Sequence, residues 1–127
     1  MEAVALLTSA VLVQYLVFAY HVSLARMQHG VAAPATSGHP EFDRVYRVHQ
    51  NTLEQLIIFL PALWMFALYV HPLAGAAIGL LFPIGREIYR RSYVTDPSNR
   101  TAGAALGGAS TVILLVGAAI GALVSWL

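Results

Sequence analysis

Residues 44 to 55 read RVYRVHQNTLEQ and open directly onto a long apolar run, LIIFLPALWMFALYV. At about 100° per residue, Arg47, Asn51 and Glu54 fall within about 60° of one another on one helical stripe. Arg44 stands on the same side one turn earlier. A second stripe lies in GREIYRRSY, where Arg86, Tyr89, Arg90 and Tyr93 follow the same spacing. Arg26 and Arg100 complete the set. A guanidinium can fork onto a carboxylate or a phosphate, and a carboxylate such as Glu54 can pair with an ammonium. The arginines therefore suit planar recognition of a carboxylate or a phosphate, and Glu54 should face a partner or a water-filled cleft. The same spacing also fits a purely structural ion pair, Glu54 with Arg47 or Arg86, that fixes helix register. Spacing alone leaves both readings open.

The elements that must position these groups are membrane helices. The 127 residues are 58% hydrophobic and 10% charged, with a mean hydropathy of +0.69, whereas soluble domains carry roughly a quarter charged residues. Three stretches lack charge: Ala3 to Ala25, Gln55 to Gly85 and Thr101 to Leu127. A span needs about 20 residues and proline ends helices, so the middle stretch divides at His71-Pro72. The reading is all-α, an integral membrane four-helix bundle forming one domain, with helices at about 3–28, 43–70, 73–93 and 97–126. Asp96 is read as the N-cap of the last helix and Pro97 as its first helical residue. Met1-Glu2 offers no basic leader, so the first segment is expected to be retained as a helix. Gly103 and Gly107, then Gly117 and Gly121, have the GxxxG spacing that lets membrane helices approach closely.

All seven basic residues are arginines and cluster in or beside the first and third loops. By the positive-inside rule those loops face the cytoplasm and both termini face out. Cysteine is absent, so the chain has no disulfide and no thiolate of its own, and any thiol chemistry must bring its sulfur with a ligand. The histidines (21, 29, 39, 49, 71) are spread along the chain and no metal site is expected. There is no G-x-S-x-G and no phosphate-loop pattern, and nothing favours nucleic acid binding.

The stretch PEFDRVYRVHQNTLEQ resembles the signature of the MAPEG family, the membrane-associated proteins in eicosanoid and glutathione metabolism. That signature runs roughly E-R-x-x-R/N-x-x-x-N-x-x-E, with Asp43 here where the family often has glutamate. The likeness extends through an apolar hairpin containing LW, then R-x-x-Y-x-x-x-Y, then a lone arginine. It is closest to the branch of leukotriene C4 synthase and microsomal glutathione transferases 2 and 3. The resemblance implies a homotrimer in the lipid bilayer, with glutathione as co-substrate bound between subunits near the cytoplasmic face. It implies attack on a hydrophobic small-molecule electrophile or a lipid hydroperoxide, with a bacterial inner membrane as the expected location. Arg26, Arg47, Asn51, Glu54, Tyr89 and Tyr93 match glutathione-binding positions, and His49 stands at one that the family fills with glutamine. Arg86 matches a structural or binding arginine, and Arg100 matches the arginine that activates the thiol. Met27 and Gln55 depart from the pattern, replacing an arginine and a tyrosine.

An acceptor groove along Leu60, Trp64 and Leu106 is a further expectation. Two other functions fit the sequence less well. A lipid-binding scaffold of the same family would not need Arg100. A small proton-coupled exporter relies on an acid in its first helix, where this chain has Gln14.

Overall fold

Main-chain groups in hydrocarbon must be satisfied within the segment, and helices do so. The computed structural model describes residues 1–127 and contains helices alone: α1 (Glu2–His29), α2 (Pro40–Tyr69), α3 (Pro72–Gly79), α4 (Leu81–Thr95) and α5 (Thr101–Trp126). α1, α2 and α5, of 28, 30 and 26 residues, are long and apolar enough to cross a membrane. α3 and α4 run on as one arm, so the architecture is the expected membrane bundle of four.

The two His-Pro pairs are both helix starts. His39 Nδ1 accepts the Glu41 N–H at 3.2 Å and His71 Nδ1 accepts the Ala74 N–H at 3.3 Å, each followed by proline in the first helical position. α2 accordingly begins three residues before the expected boundary.

Two expectations need correction. The third helix is not continuous, because it breaks at Leu80. Pro83 has no N–H to give the Gly79 carbonyl, which interrupts the ladder. The fourth helix starts at Thr101 and not at Pro97. Asp96 caps a turn instead of a helix: its Oδ1 accepts from the Ser98 N–H at 3.1 Å and the Ser98 hydroxyl at 2.8 Å. These bonds hold the Asp96 carboxyl below its usual range. Arg100 therefore precedes α5 as its N-cap residue, and no side chain caps that helix.

The main core gathers Val4, Leu7, Val11, Phe59, Leu63, Phe82 and Leu114, with Phe59 and Phe82 stacked at 4.0 Å. Only 29 of 127 residues are buried, so most of the apolar surface must meet lipid or other subunits. α5 is drawn in by its glycines. A Cβ on Gly85 would stand 2.7 Å from the Gly107 nitrogen and 2.8 Å from the Gly103 oxygen, so α4 and α5 touch main chain to main chain. At the other end, a Cβ on Gly117 would meet the Phe66 ring at 2.5 Å and one on Gly121 the Tyr69 oxygen at 2.8 Å. Both GxxxG pairs thus serve close packing.

Candidate functional site

At the arginine-rich end, α2, α4 and the start of α5 surround an open cavity of about 570 Å³. Its wall combines Arg47, Asn51 and Gln55 from α2 with Arg86 and Tyr89 from α4. Arg100, Thr101, Ala104 and Ala105 close it from α5. Helical spacing brings each group onto its wall, and the glycine seam fixes the distance between the α4 and α5 walls.

Arg86 is the anchor. It is 2% exposed, and its Nε–H donates to Thr52 Oγ1 at 3.2 Å while Nη2 donates to Asn51 Oδ1 at 2.8 Å. Its guanidinium lies over the Tyr89 ring at 4.3 Å. Thr52 in turn donates its hydroxyl to the Val48 carbonyl at 2.7 Å. Every partner of Arg86 is neutral, and no carboxylate pairs with it. A buried cation held only by dipoles keeps its positive field for whatever enters the cavity.

The other arginines sort by partner. Arg90 and Arg91 both donate to Glu87, at 2.6 to 2.9 Å, so that part of the second stripe is neutralised. Arg44 donates to the Val94 and Thr95 carbonyls at 3.3 and 3.4 Å, closing the last turn of α4. Arg47 meets Glu54 at 3.5 Å, with both side chains about half exposed; the structural ion pair exists, and with Arg47 rather than Arg86. Arg100 is exposed and has no hydrogen-bond or ion-pair partner in the protein. The cavity therefore holds two arginines without an acid and a third weakly paired.

The structure gathers Arg47, Asn51, Arg86, Tyr89 and Arg100 around one space. Glu54 stands beside it through Arg47, and Tyr93 lies behind Tyr89, its ring stacked at 5.4 Å. Arg26 and His49 are elsewhere in the protomer. Arg26 donates to the Ala35 carbonyl at 2.6 Å and the Val31 carbonyl at 3.5 Å, and covers the Phe42 ring at 4.9 Å. It ties down the loop between α1 and α2. His49 stacks on Tyr15 at 4.5 Å in the seam of α1 and α2. The supposed groove of Leu60, Trp64 and Leu106 does not form within the protomer. Leu60 packs against the core, and the Trp64 Nε1–H donates to Thr8 Oγ1 at 3.0 Å.

Sequence reasoning missed Thr52, the buried partner of Arg86, although it adjoins Asn51 and faces the core one turn after Val48. It also left Thr101, Ala104 and Ala105 unassigned, since small residues on an apolar helix carry no signal for a cavity wall.

The chain matches the MAPEG family over residues 4–120. It belongs to that family. Among its MAPEG relatives, an uncharacterized Synechocystis protein is 46% identical over 114 residues, covering 90% of this chain and 83% of that protein. Mouse microsomal glutathione S-transferase 2 is 35% identical over 121 residues, 95% of this chain and 80% of its own. Guinea pig (Cavia porcellus) leukotriene C4 synthase is 36% identical over 129 residues, 99% of this chain and 86% of its own.

Proposed function

We propose that this MAPEG protein is a membrane-bound glutathione transferase, with peroxidase activity on lipid hydroperoxides as a second outcome of the same thiolate. The observation that carries this reading is the unneutralised arginine of the cavity: Arg86 buried among neutral partners and Arg100 free at its mouth. Glutathione brings two carboxylates, an ammonium and a thiol. Arg47 and Arg86 supply donors for the carboxylates and Glu54 an acceptor for the ammonium. Arg100 and the uncapped amides at the start of α5 stabilise the thiolate. A free thiol has a pKa of about 8.5, and lowering it by about two units requires roughly 2.7 kcal/mol of preferential thiolate binding. One guanidinium in a partly dry cleft supplies energy of that order.

Conjugation then forms a carbon–sulfur bond as the thiolate pair attacks an electrophilic carbon, and the displaced group or new carbanion takes a proton. The assembly that fits is a homotrimer in which a neighbouring subunit covers the cavity. Arg26 and His49, which face away from their own protomer's cavity, are the natural contributors from that neighbour. The arginine-rich loops face the cytoplasm in this reading and both termini face out, in a bacterial inner membrane.

The decisive experiment is a titration of the detergent-purified protein with glutathione, followed by ultraviolet thiolate absorbance. Thiolate is expected at neutral pH; its absence would overturn the mechanism. A second expectation concerns Glu54→Gln. The Arg47–Glu54 pair is half exposed, so thermal unfolding should shift by less than about 1 kcal/mol. Glutathione binding should weaken about tenfold, because a charge-assisted bond to the ammonium is lost. Unchanged affinity would remove Glu54 from the site.

A further inference from the structure

The break between α3 and α4 lies in the middle of the bundle and is held by side chains from two other helices. Ser110 on α5 donates its hydroxyl to the Ile78 carbonyl at 2.8 Å. Gln14 on α1 donates Nε2 to the Pro83 carbonyl, also at 2.8 Å. The helical ladder is thinned at this point: Pro83 has no N–H to give and the Ile84 N–H reaches the Leu80 oxygen at 3.4 Å, while Leu80 itself keeps helical angles. Gln14 is the one polar side chain whose buried atom finds no partner, its Oε1. An amide that leaves its oxygen unsatisfied in an apolar interior contributes through its N–H.

Beyond this joint no main-chain contact joins α1 to α4. α1 packs along α2 and α3 and meets α4 through side chains alone, Gln14 on the Pro83 carbonyl and Phe18 in a buried cluster with Val48 and Tyr89. The gap between them is a pocket of about 100 Å³ lined by Phe18, His21, Arg90 and Val94 over Val45 and Val48. A second cavity of about 480 Å³ shares His21, Val45 and Val94 with it and reaches His29, Glu41 and Arg44. On its other side, α4 already touches α5 main chain to main chain and has no further room. The side towards α1 is filled by side chains, those of the Phe18, Val48 and Tyr89 cluster and of the pocket beside it. These can repack where main chain cannot, so a loosened joint lets α4 shift that way. Arg86 and Tyr89, within two turns of Pro83, travel with it, away from Arg100 and the α5 wall.

We propose that Gln14 is a positioning residue, fixing through Pro83 the pose in which α4 presents Arg86 and Tyr89 to the ligand. Ser110 acts on the same joint from the opposite side. The proposal rests on the glutathione reading for its ligand but not for its mechanics, so two readouts separate them. The chain has no cysteine, so paired Met27→Cys and Ile88→Cys substitutions allow spin labels on exposed sites of α1 and α4 alone. In Gln14→Met, which keeps the bulk and removes the N–H, the label distance is expected to shorten and its distribution to broaden. The dissociation constant for glutathione should rise about tenfold, since displacements of about an ångström carry penalties of that size or more. The pH midpoint of thiolate formation at saturating glutathione should stay put, because Arg100 stands at the N-cap of α5 and not on α4. Ser110→Ala should move the distance in the same direction by less. An unchanged distance distribution would overturn the proposal, as would a shifted one with unchanged glutathione affinity. If the parent protein binds no glutathione, the distance measurement alone decides whether Gln14 holds the joint.

Discussion

Replacing Arg100 with alanine is expected to return the midpoint for bound glutathione to about 8.5, a shift of about two units, and to leave only a few per cent of thiolate at neutral pH. Activity at neutral pH should fall about 25-fold, since about 3% of the thiol would then be ionised against about 75% in the parent, by the same two units. The cause is local. Arg100 stands at the cavity mouth with no partner inside the protein, beside an α5 N-terminus that no side chain caps. It has nothing structural to lose, so thermal unfolding should not move. The affinity for glutathione should change little if the carboxylates rest on Arg47 and Arg86. Arg100→Lys keeps the charge without the fork and should recover part of the thiolate. Ultraviolet titrations of the three proteins across pH test this directly. A parent-like thiolate midpoint in Arg100→Ala would assign the activation elsewhere, and retained activity without any thiolate would favour a different chemistry.

The second large effect is expected at Gly103. A Cβ there would run into the main chain of Tyr89 and of Gly85, groups that cannot rotate aside. Gly103→Val should therefore force α4 and α5 apart, at a cost of about 3 kcal/mol or more. Tyr89 and Arg86 would move with α4. Loss of the folded protein in detergent, or a thermal midpoint lowered by many degrees with glutathione binding gone, is the expected result. Gly108 supplies the control: no atom lies within 4 Å of the Cβ it would gain. Gly108→Ala should stay within about 0.5 kcal/mol of the parent. Equal behaviour of the two variants would show that the seam is softer than its geometry implies.

Much of the fold was legible because the hydrocarbon sets helix length. Long uncharged stretches had to be helices, and His71-Pro72 marked the hairpin. The break at Leu80 was hidden inside an apolar run, where Pro83 was its only trace and the side chains that hold it come from α1 and α5. The start of α5 was misread because Asp96 satisfies both a helix cap and a serine turn by the same acceptor, and Ser98 is nearer. Of the site, the stripe of Arg47, Asn51 and Glu54 followed from spacing within one helix. Which face of one helix meets which face of another did not. α1 is apolar almost all round, so its rotation leaves no period in the sequence, and the separation of Arg26 from the cavity could not be read. Arg90 shares a stripe with Arg86, yet Glu87 three residues earlier captures it. That competition is local and was readable, but its winner depended on which wall α4 turned towards α2.

The lengths of the helices tie the cavity to its surroundings. From Arg47 to the end of α2 at Tyr69 there are 22 steps, or about 33 Å of helix at 1.5 Å each. A typical hydrocarbon layer is about 30 Å thick. Arg47 and its neighbours thus ride at the boundary between acyl chains and headgroups, with only a few ångströms to spare. A membrane with longer acyl chains would draw those guanidiniums towards the oil, unless the bundle tilted or the bilayer thinned around it. Hydration of the cavity, and with it the ease of exchanging a charged ligand, is in this way coupled to lipid composition.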